Sequence, residues 1–225
     1  MDKKRKIDNV TLVIIAGVDL FGAYLAIYKS IRQLSFAKVK IITPSLFAVN
    51  TPSIQIEKPI NSKLDSMKEY NRYCVYELHN HIDTEFCLLI QQDGYIINPD
   101  LWSNDFLKYD YIGAPWPIVE NSYVDPFGNR QRVGNGGFSL RSKKLLTVPL
   151  RQEITFEVNN SDFYNHFDHG SYSEDGVICI HNRHSYERDG CEFAPIEVAS
   201  IFSRELQIPE NQGRKTFGFH RYKPK

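Results

Sequence analysis

Five apolar residues in a row, Phe86-Cys-Leu-Leu-Ile90, run straight into Gln91-Gln-Asp-Gly-Tyr95, and this stretch constrains the fold more than any other. A strand with one wet face alternates apolar and polar residues. An unbroken apolar run of this length, closed by turn formers, is a strand buried on both faces, as in a parallel sheet covered by helices. In open α/β sheets ligands bind outside the carboxyl ends of the strands. Asp93 therefore stands where a metal or substrate ligand would stand. The plain structural reading of the same residue is a loop acid capping a turn.

The flanking sequence supplies the rest of such a sheet. Residues 10–16 read as a first buried strand, with Gly17-Val-Asp19 at its carboxyl end. Leu20, Tyr24, Ile27, Ile31 and Leu34 recur at helical spacing and predict a helix over 20–34. Residues 38–43 predict a second strand, stopped by Pro44, so that strand, helix and strand make a right-handed βαβ unit. A short third strand is expected at 54–57. Ser62 as N-cap and Asp65 in the first turn predict a helix from 61 to about 80. Its inner stripe would be Leu64, Met67, Asn71, Cys74 and Leu78, in which the polar Asn71 needs a partner.

Further along, residues 95–97 read as extended, 98–102 as a brief helix, 109–113 as a strand and 119–132 as a polar loop or hairpin. Val133-Gly-Asn-Gly-Gly-Phe-Ser-Leu-Arg141 sets three glycines in four residues before an alternating strand. The expectation is a tight turn or bulge, or backbone pressed against a ligand. Glu174 and Asp175 follow Ser173, an expected N-cap, at the start of an apolar helical run. A helix is expected over 195–205, and the aromatic tail at 218–222 is expected to pack back onto the domain.

Composition excludes several classes. Lys plus Arg equals Asp plus Glu at 27 each, so no basic field marks a nucleic-acid binder. No stretch is long enough to span a bilayer. The basic residues near the start, within an expected tail over 1–8, offer at most peripheral contact with an anionic membrane. Cys74 and Cys87 sit in apolar contexts and read as free thiols, which favours a reducing, cytoplasmic setting. One domain over 1–225 is expected, without repeat or linker.

A buried strand ending in x-x-Asp, a glycine-rich segment, Glu-Asp at a helix start and a late His together resemble the GT-A class of nucleotide-sugar glycosyltransferases. Gln-Gln-Asp-Gly-Tyr, Tyr-Ile-Gly-Ala-Pro-Trp and Gly-Asn-Gly-Gly-Phe-Ser-Leu-Arg are similar to a bacterial GT-A-like family. The resemblance spans residues 10–222. It implies an α/β GT-A (Rossmann-like) fold with a mostly parallel sheet. It also implies transfer of a sugar from a nucleotide-diphosphate donor to a glycan or lipid-linked acceptor. By the same resemblance Asp93 and His220 would hold a divalent cation, Mn²⁺ or Mg²⁺, although Gln91 stands where the first acid of the D-x-D motif would be. Gly17, Asp19, Asn71, Gln92, Gly136, Gly137 and Arg141 would meet the donor, and Trp116 and Asn135 the acceptor. Asp175 would be the general base of an inverting reaction, with Glu174 beside it.

Other classes remain open at this point. A non-catalytic nucleotide-sugar or carbohydrate-binding domain is motivated by Gln91. A zinc-stabilised interaction domain is motivated by His166, His169, His181 and His184 with Cys179 and Cys191, at spacings that match no closed zinc site. A nucleotidyltransferase ranks lower, because no Gly- and Lys-rich phosphate loop follows the first strand.

Overall fold

The computed structural model describes residues 5–32, 34–119, 123–156 and 172–221. In chain order the elements are β1 (Arg5–Ile15), α1 (Leu20–Ile31), β2 (Leu34–Ile42), β3 (Gln55–Glu57), α2 (Met67–Tyr76), β4 (Phe86–Ile90) and β5 (Gly94–Ile96). There follow β6 (Tyr111–Pro115), β7 (Val133–Ser142), α3 (Lys143–Leu146), α4 (Glu174–Gly176), α5 (Arg183–Arg188), α6 (Ile196–Phe202), β8 (Ser203–Arg204) and β9 (Gly218–His220). Six strands form the main sheet in the order β3-β2-β1-β4-β7-β6. The first four are mutually parallel, and β7 runs antiparallel to both β4 and β6. A small second sheet has the order β5-β9-β8.

β4 is central and buried on both faces, as its composition requires. Cys87 and Leu89 face a core shared with Cys74, Val75 and Leu78. Leu88 and Ile90 face the opposite core, with Ala23, Ile27, Phe138, Phe202 and Phe217. Period-two alternation along one strand thus feeds two separate layers. Only one neighbour of β4, strand β1, is parallel; on the other side lies antiparallel β7.

Several boundaries differ from expectation, each for a local reason. β1 begins at Arg5, because Arg5, Lys6 and Ile7 pair with Leu34, Ser35 and Phe36; much of the expected basic tail is strand. Leu34 opens β2 instead of closing α1. The inner face of α1 is built of small residues, Ala23, Ala26 and Ser30 with Ile27, which let the helix lie close to the sheet. α2 starts later than expected, since Asn61 and Leu64 take φ values of 50° and 52°, outside the right-handed helix. Its N-cap is Ser66, which accepts from the Glu69 N–H, while the Ser62 hydroxyl donates to Glu69 Oε2 at 2.9 Å. Met67, expected inside, is exposed.

The glycine-rich segment, expected as a tight turn or bulge, is the first half of β7, a ten-residue strand buried at every position whose register against β6 shifts between Leu140 and Asn135. None of its glycines has positive φ. α6 ends at Phe202, so the chain leaves the helix before Glu205. The tail packs back as β9, as expected. All four cysteines are free and buried. Among the described residues no helix is long and apolar enough to cross a membrane.

Candidate functional site

Strand register assembles the site. Ile90 pairs with Phe138, and the Gln91 N–H donates to the Gly137 carbonyl at 3.0 Å. Because β7 runs backwards against β4, its glycine-rich beginning lies beside the carboxyl end of β4. The small sheet pairs Gly94 with His220, and the Arg221 N–H donates to the Asp93 carbonyl at 3.1 Å. α4 is pinned from above, because Asp175 Oδ2 accepts from the Gly136 N–H at 2.9 Å. These three connections surround a cleft of about 420 Å³.

The glycines of β7 are bare because neighbours press on them. A Cβ at Gly136 would stand 1.9 Å from Glu174 Oε1, and one at Gly137 would stand 2.3 Å from His220 Nε2. Their requirement is close approach, not turn geometry.

One wall of the cleft is a sealed ion pair. Arg141 is wholly buried, and its Nη2 donates to both Glu174 carboxylate oxygens at 2.9 Å. Its Nε donates to Ser139 Oγ at 3.0 Å, and the guanidinium lies over the Tyr111 ring. Nη1 has no hydrogen-bond partner. Burial pushes the Glu174 carboxyl upward, and Arg141 opposes that rise. Arg141, expected to meet the donor, is therefore engaged with Glu174 and is not among the residues that line the cleft. Glu174 lines the cleft with both carboxylate oxygens held by Arg141. Asp175, one residue on, faces the cleft, and its Oδ1 accepts from the Gly176 N–H at 2.7 Å.

A second cluster holds His220 and Arg221, which line the cleft, with Asp93 beside them. His220 Nε2 donates to Gln91 Oε1 at 2.9 Å and lies 3.3 Å from Asp93 Oδ1; Nδ1 lies 3.4 Å from Glu205 Oε1. Burial alone would lower the His220 pKa, but Asp93 and Glu205 overcome it and raise the value to about 9. The hydrogen bond from His220 is the main cause that holds the Asp93 carboxyl below its usual range. Arg221 Nε is 3.8 Å from Asp93 Oδ2, and its backbone has φ 56°, a left-handed conformation rare outside glycine.

Asn71, Gly137, Trp116, Asn135, Asp175 and His220 all line the one cleft. Asn71 finds the partner its position demanded, accepting from the Glu174 N–H at 3.3 Å. Gly17, Asp19 and Gln92 cluster at the carboxyl ends of β1 and β4 but are not in the cleft wall. Gly17 lies against the Leu64 carbonyl, Asp19 caps α1 through the Gly22 N–H at 2.8 Å, and Gln92 packs beside Gly22. Trp116, expected to meet the acceptor, lines the cleft but is packed. It is 5% exposed, with Gly134 against its six-membered ring and Tyr123 stacked on it at 4.6 Å between ring centres. Glu205 and Tyr123, which sequence reasoning missed, both line the cleft. Glu205 was hidden inside an expected helix, and Tyr123 inside an expected loop. Of the zinc candidates, His166 and His169 lie outside the described residues. Among the described residues no three His, Cys, Asp or Glu side chains cluster at metal-holding distance.

Comparison with known proteins agrees with this architecture. No curated protein matches the chain. A solved structure of galactosyltransferase LgtC with donor and acceptor sugar analogs is 15% identical, covers 93% of this chain and 86% of that chain, and has a TM-score of 0.49. A structure of an active-site mutant of LgtC, also 15% identical, covers 95% of this chain and 88% of that chain, with a TM-score of 0.50. At this identity the second likeness shows the fold alone, which is GT-A-like, with a central mostly parallel sheet. The family model described as "Protein of unknown function (DUF5672)" matches residues 53–220. That match covers well over half of the 225 residues, and the chain belongs to the DUF5672 family.

Proposed function

We propose that the chain is an inverting glycosyltransferase that takes a nucleotide-diphosphate sugar and passes the sugar to a hydroxyl of a glycan or lipid-linked saccharide. One observation carries the reading: a single cleft is lined by an acid, Asp175, and by two cationic side chains, His220 and Arg221. Sugar transfer needs both. The acceptor hydroxyl must lose a proton while the leaving diphosphate gains negative charge. Asp175 is held at both oxygens by backbone N–H groups, which fixes its direction and leaves lone pairs for a hydroxyl proton. Such a base contributes ~10²–10⁴-fold to a rate. His220 and Arg221 place positive charge where the phosphates would lie, beside Asp93. Gly17, Asp19 and Gln92, at the adjoining strand ends, are the proposed nucleotide contacts. Asn135 and the Trp116–Tyr123 wall are the proposed acceptor side.

The implied divalent cation fits the donor set on chemical grounds. His220 is protonated, with Nε2 donating to Gln91 Oε1 and facing Asp93 Oδ1, so Asp93 is the residue that would hold Mn²⁺ or Mg²⁺ together with the donor phosphates. When bound with the donor, such a cation neutralises the diphosphate and eases its departure. Four buried free thiols support a reducing compartment for the same reading, and a lipid-linked acceptor would bring the protein to a membrane surface.

A second reading, a binding module without transfer, is favoured by one feature. The Gln91 amide that replaces the first acid is tied at both ends, its Nε2 donating to the Tyr70 hydroxyl at 2.9 Å and its Oε1 accepting from His220. A thermal-shift screen of nucleotide sugars and nucleoside diphosphates, each with Mn²⁺, Mg²⁺ or EDTA, tests nucleotide binding. Donor hydrolysis or transfer by the wild type, lost in Asp175→Asn with donor binding kept, separates the two readings. If Asp175→Asn also loses donor binding or unfolds, Asp175 is structural and the base assignment is wrong.

A further inference from the structure

The outer face of α1 is apolar where a surface helix is ordinarily polar. Phe21, Leu25 and Tyr28 recur at i, i+4 and i+7 and are exposed, opposite the buried stripe of Ala23, Ala26, Ile27 and Ser30. Beside them the loop after β2 carries Leu46, Phe47 and Val49, and Leu46 and Phe47 are 89% and 90% exposed. Tyr24 joins the two segments: its hydroxyl donates to the Val49 carbonyl at 2.8 Å and accepts from the Val49 N–H at 3.0 Å. Tyr24 neighbours both Phe21 and Tyr28 on the helix surface, so the stripe and the loop adjoin. The loop is held from within. Lys58 Nζ donates to the Ser45 carbonyl at 2.6 Å, the Phe47 N–H to Ser45 Oγ at 3.2 Å, and the Ile56 N–H to Asn50 Oδ1 at 2.6 Å. A loop tied down at these points still leaves its largest apolar side chains in water, as contact surfaces do.

The charges around the patch indicate what covers it. Arg32 closes the helix stripe, its guanidinium 6.0 Å from the centre of the Tyr28 ring, and Lys58 stands at the loop. The acids of the same two segments are engaged within the fold. Asp19 caps α1, and Glu57 holds Lys40 and His81. A second copy docked by the same face would set Arg32 and Lys58 against like charges. Anionic lipid headgroups complement them, while Phe, Leu and Tyr side chains enter the interface below. The position fits as well. Strands β1, β2 and β4 are parallel, so the loop after β2 and residues 91–93 after β4 share one end of the sheet. The patch and the cleft therefore lie toward the same end of the molecule.

We infer that the exposed face of α1 and the loop over 44–50 form a docking surface for an anionic lipid bilayer. Phe21, Leu25, Tyr28, Leu46 and Phe47 enter the boundary between headgroups and acyl chains, and Arg32 and Lys58 meet the headgroups. This surface is distinct from the basic residues near the start of the sequence, of which Arg5 and Lys6 belong to β1. The docking is peripheral, and its strength follows the apolar area buried and the lipid charge. Its use, though not the docking itself, rests on the transferase reading: the surface holds the cleft beside the bilayer from which a lipid-linked acceptor would come.

Flotation of the whole chain with vesicles tests this, using pure phosphatidylcholine and an equimolar mixture of phosphatidylcholine and phosphatidylglycerol. The chain should float with the anionic vesicles and less with the neutral ones, and salt should weaken the binding. The double change Phe21→Ser with Phe47→Ser should weaken it by at least about tenfold. Arg32→Gln should weaken it by about fivefold. Phe127→Ser with Leu150→Ser, at exposed apolar side chains elsewhere, should leave it unchanged. No binding to anionic vesicles, binding unchanged in folded Phe21→Ser with Phe47→Ser, or an equal loss in the control pair each overturns the inference. A wild-type dimer in analytical ultracentrifugation that the same double change abolishes also overturns it and gives the face to a second copy. Thermal shift with UDP and other nucleotides keeps the two readings apart. Vesicle binding without any nucleotide response keeps the surface and removes the transferase. A nucleotide response without vesicle binding removes the surface and keeps the transferase.

Discussion

Two ion clusters flank the same cleft and are built in opposite ways. Arg141 and Glu174 are sealed, with side chains 0% and 4% exposed, and both carboxylate oxygens are taken by one guanidinium nitrogen. His220 is equally buried at 5%, but its acid Asp93 is 44% exposed and Arg221 64% exposed, so this cluster opens to solvent. The difference teaches that charge in a cleft wall does not by itself mark chemistry. A sealed pair has turned its charges on each other. An open cluster can exchange a partner for a ligand without leaving a buried charge alone.

The largest effect expected follows from that contrast. Glu174→Ala leaves Arg141 buried and unpaired and should cost about 3–5 kcal/mol, measured by urea denaturation. The double change Arg141→Met with Glu174→Leu removes both charges and should recover much of that loss. Asp93→Asn, on the open side, should change stability by less than about 1 kcal/mol while weakening the shift produced by nucleoside diphosphates. Equal stability losses at Glu174 and Asp93 would erase the distinction.

A finer cut uses the two glycines that touch the two clusters. Gly136→Ala drives a methyl into Glu174, and Gly137→Ala drives one into the His220 ring. Each should cost about 1–3 kcal/mol, as overpacking does. The functional consequences should differ. Gly136→Ala displaces the helix start that carries Asp175 and should stop transfer with donor binding kept. Gly137→Ala displaces His220 and should lose donor binding first. Enzyme assays beside calorimetry on both variants check this split.

The sequence announced the sealed and open regions unequally. The core strand was plain in it, because five consecutive apolar residues admit few alternatives, and β4 spans Phe86–Ile90 as read. The burial of Arg141 was not, since a lone arginine on a strand reads as surface until its partner thirty-three residues away is brought beneath the sheet. The glycine-rich segment stayed undecided for a related reason. Three glycines in four residues signal either unusual φ or close approach, and local sequence does not distinguish them. Only the packing of Glu174, His220 and Trp116 against β7 decides for close approach. Glu205 was lost to a boundary: apolar spacing carries a helix past Phe202, but the next residues pair with β9 instead.

Two histidines extend the comparison to pH, where the smallest effect is expected. His181 is buried, and burial lowers its pKa to about 4 from the ordinary 6.5. Below pH 6.5 the unfolded chain binds a proton that the folded chain refuses, so stability falls as pH drops from 6.5 toward 4. His220 is the reverse, raised to about 9 against its burial by Asp93 and Glu205. Its contribution is complete below pH 6.5 and is lost as pH rises from 6.5 through 9. Each limb should amount to about 1–2 kcal/mol once solvent screening is allowed for. His181→Phe should flatten the acid limb and leave the alkaline limb unchanged. His220→Gln should do the converse and, on the proposed donor-side role of the open cluster, also weaken nucleotide binding. Urea midpoints taken from pH 4 to pH 9.5 on the three proteins resolve the limbs, and a variant that flattened both would show that the two regions are coupled after all.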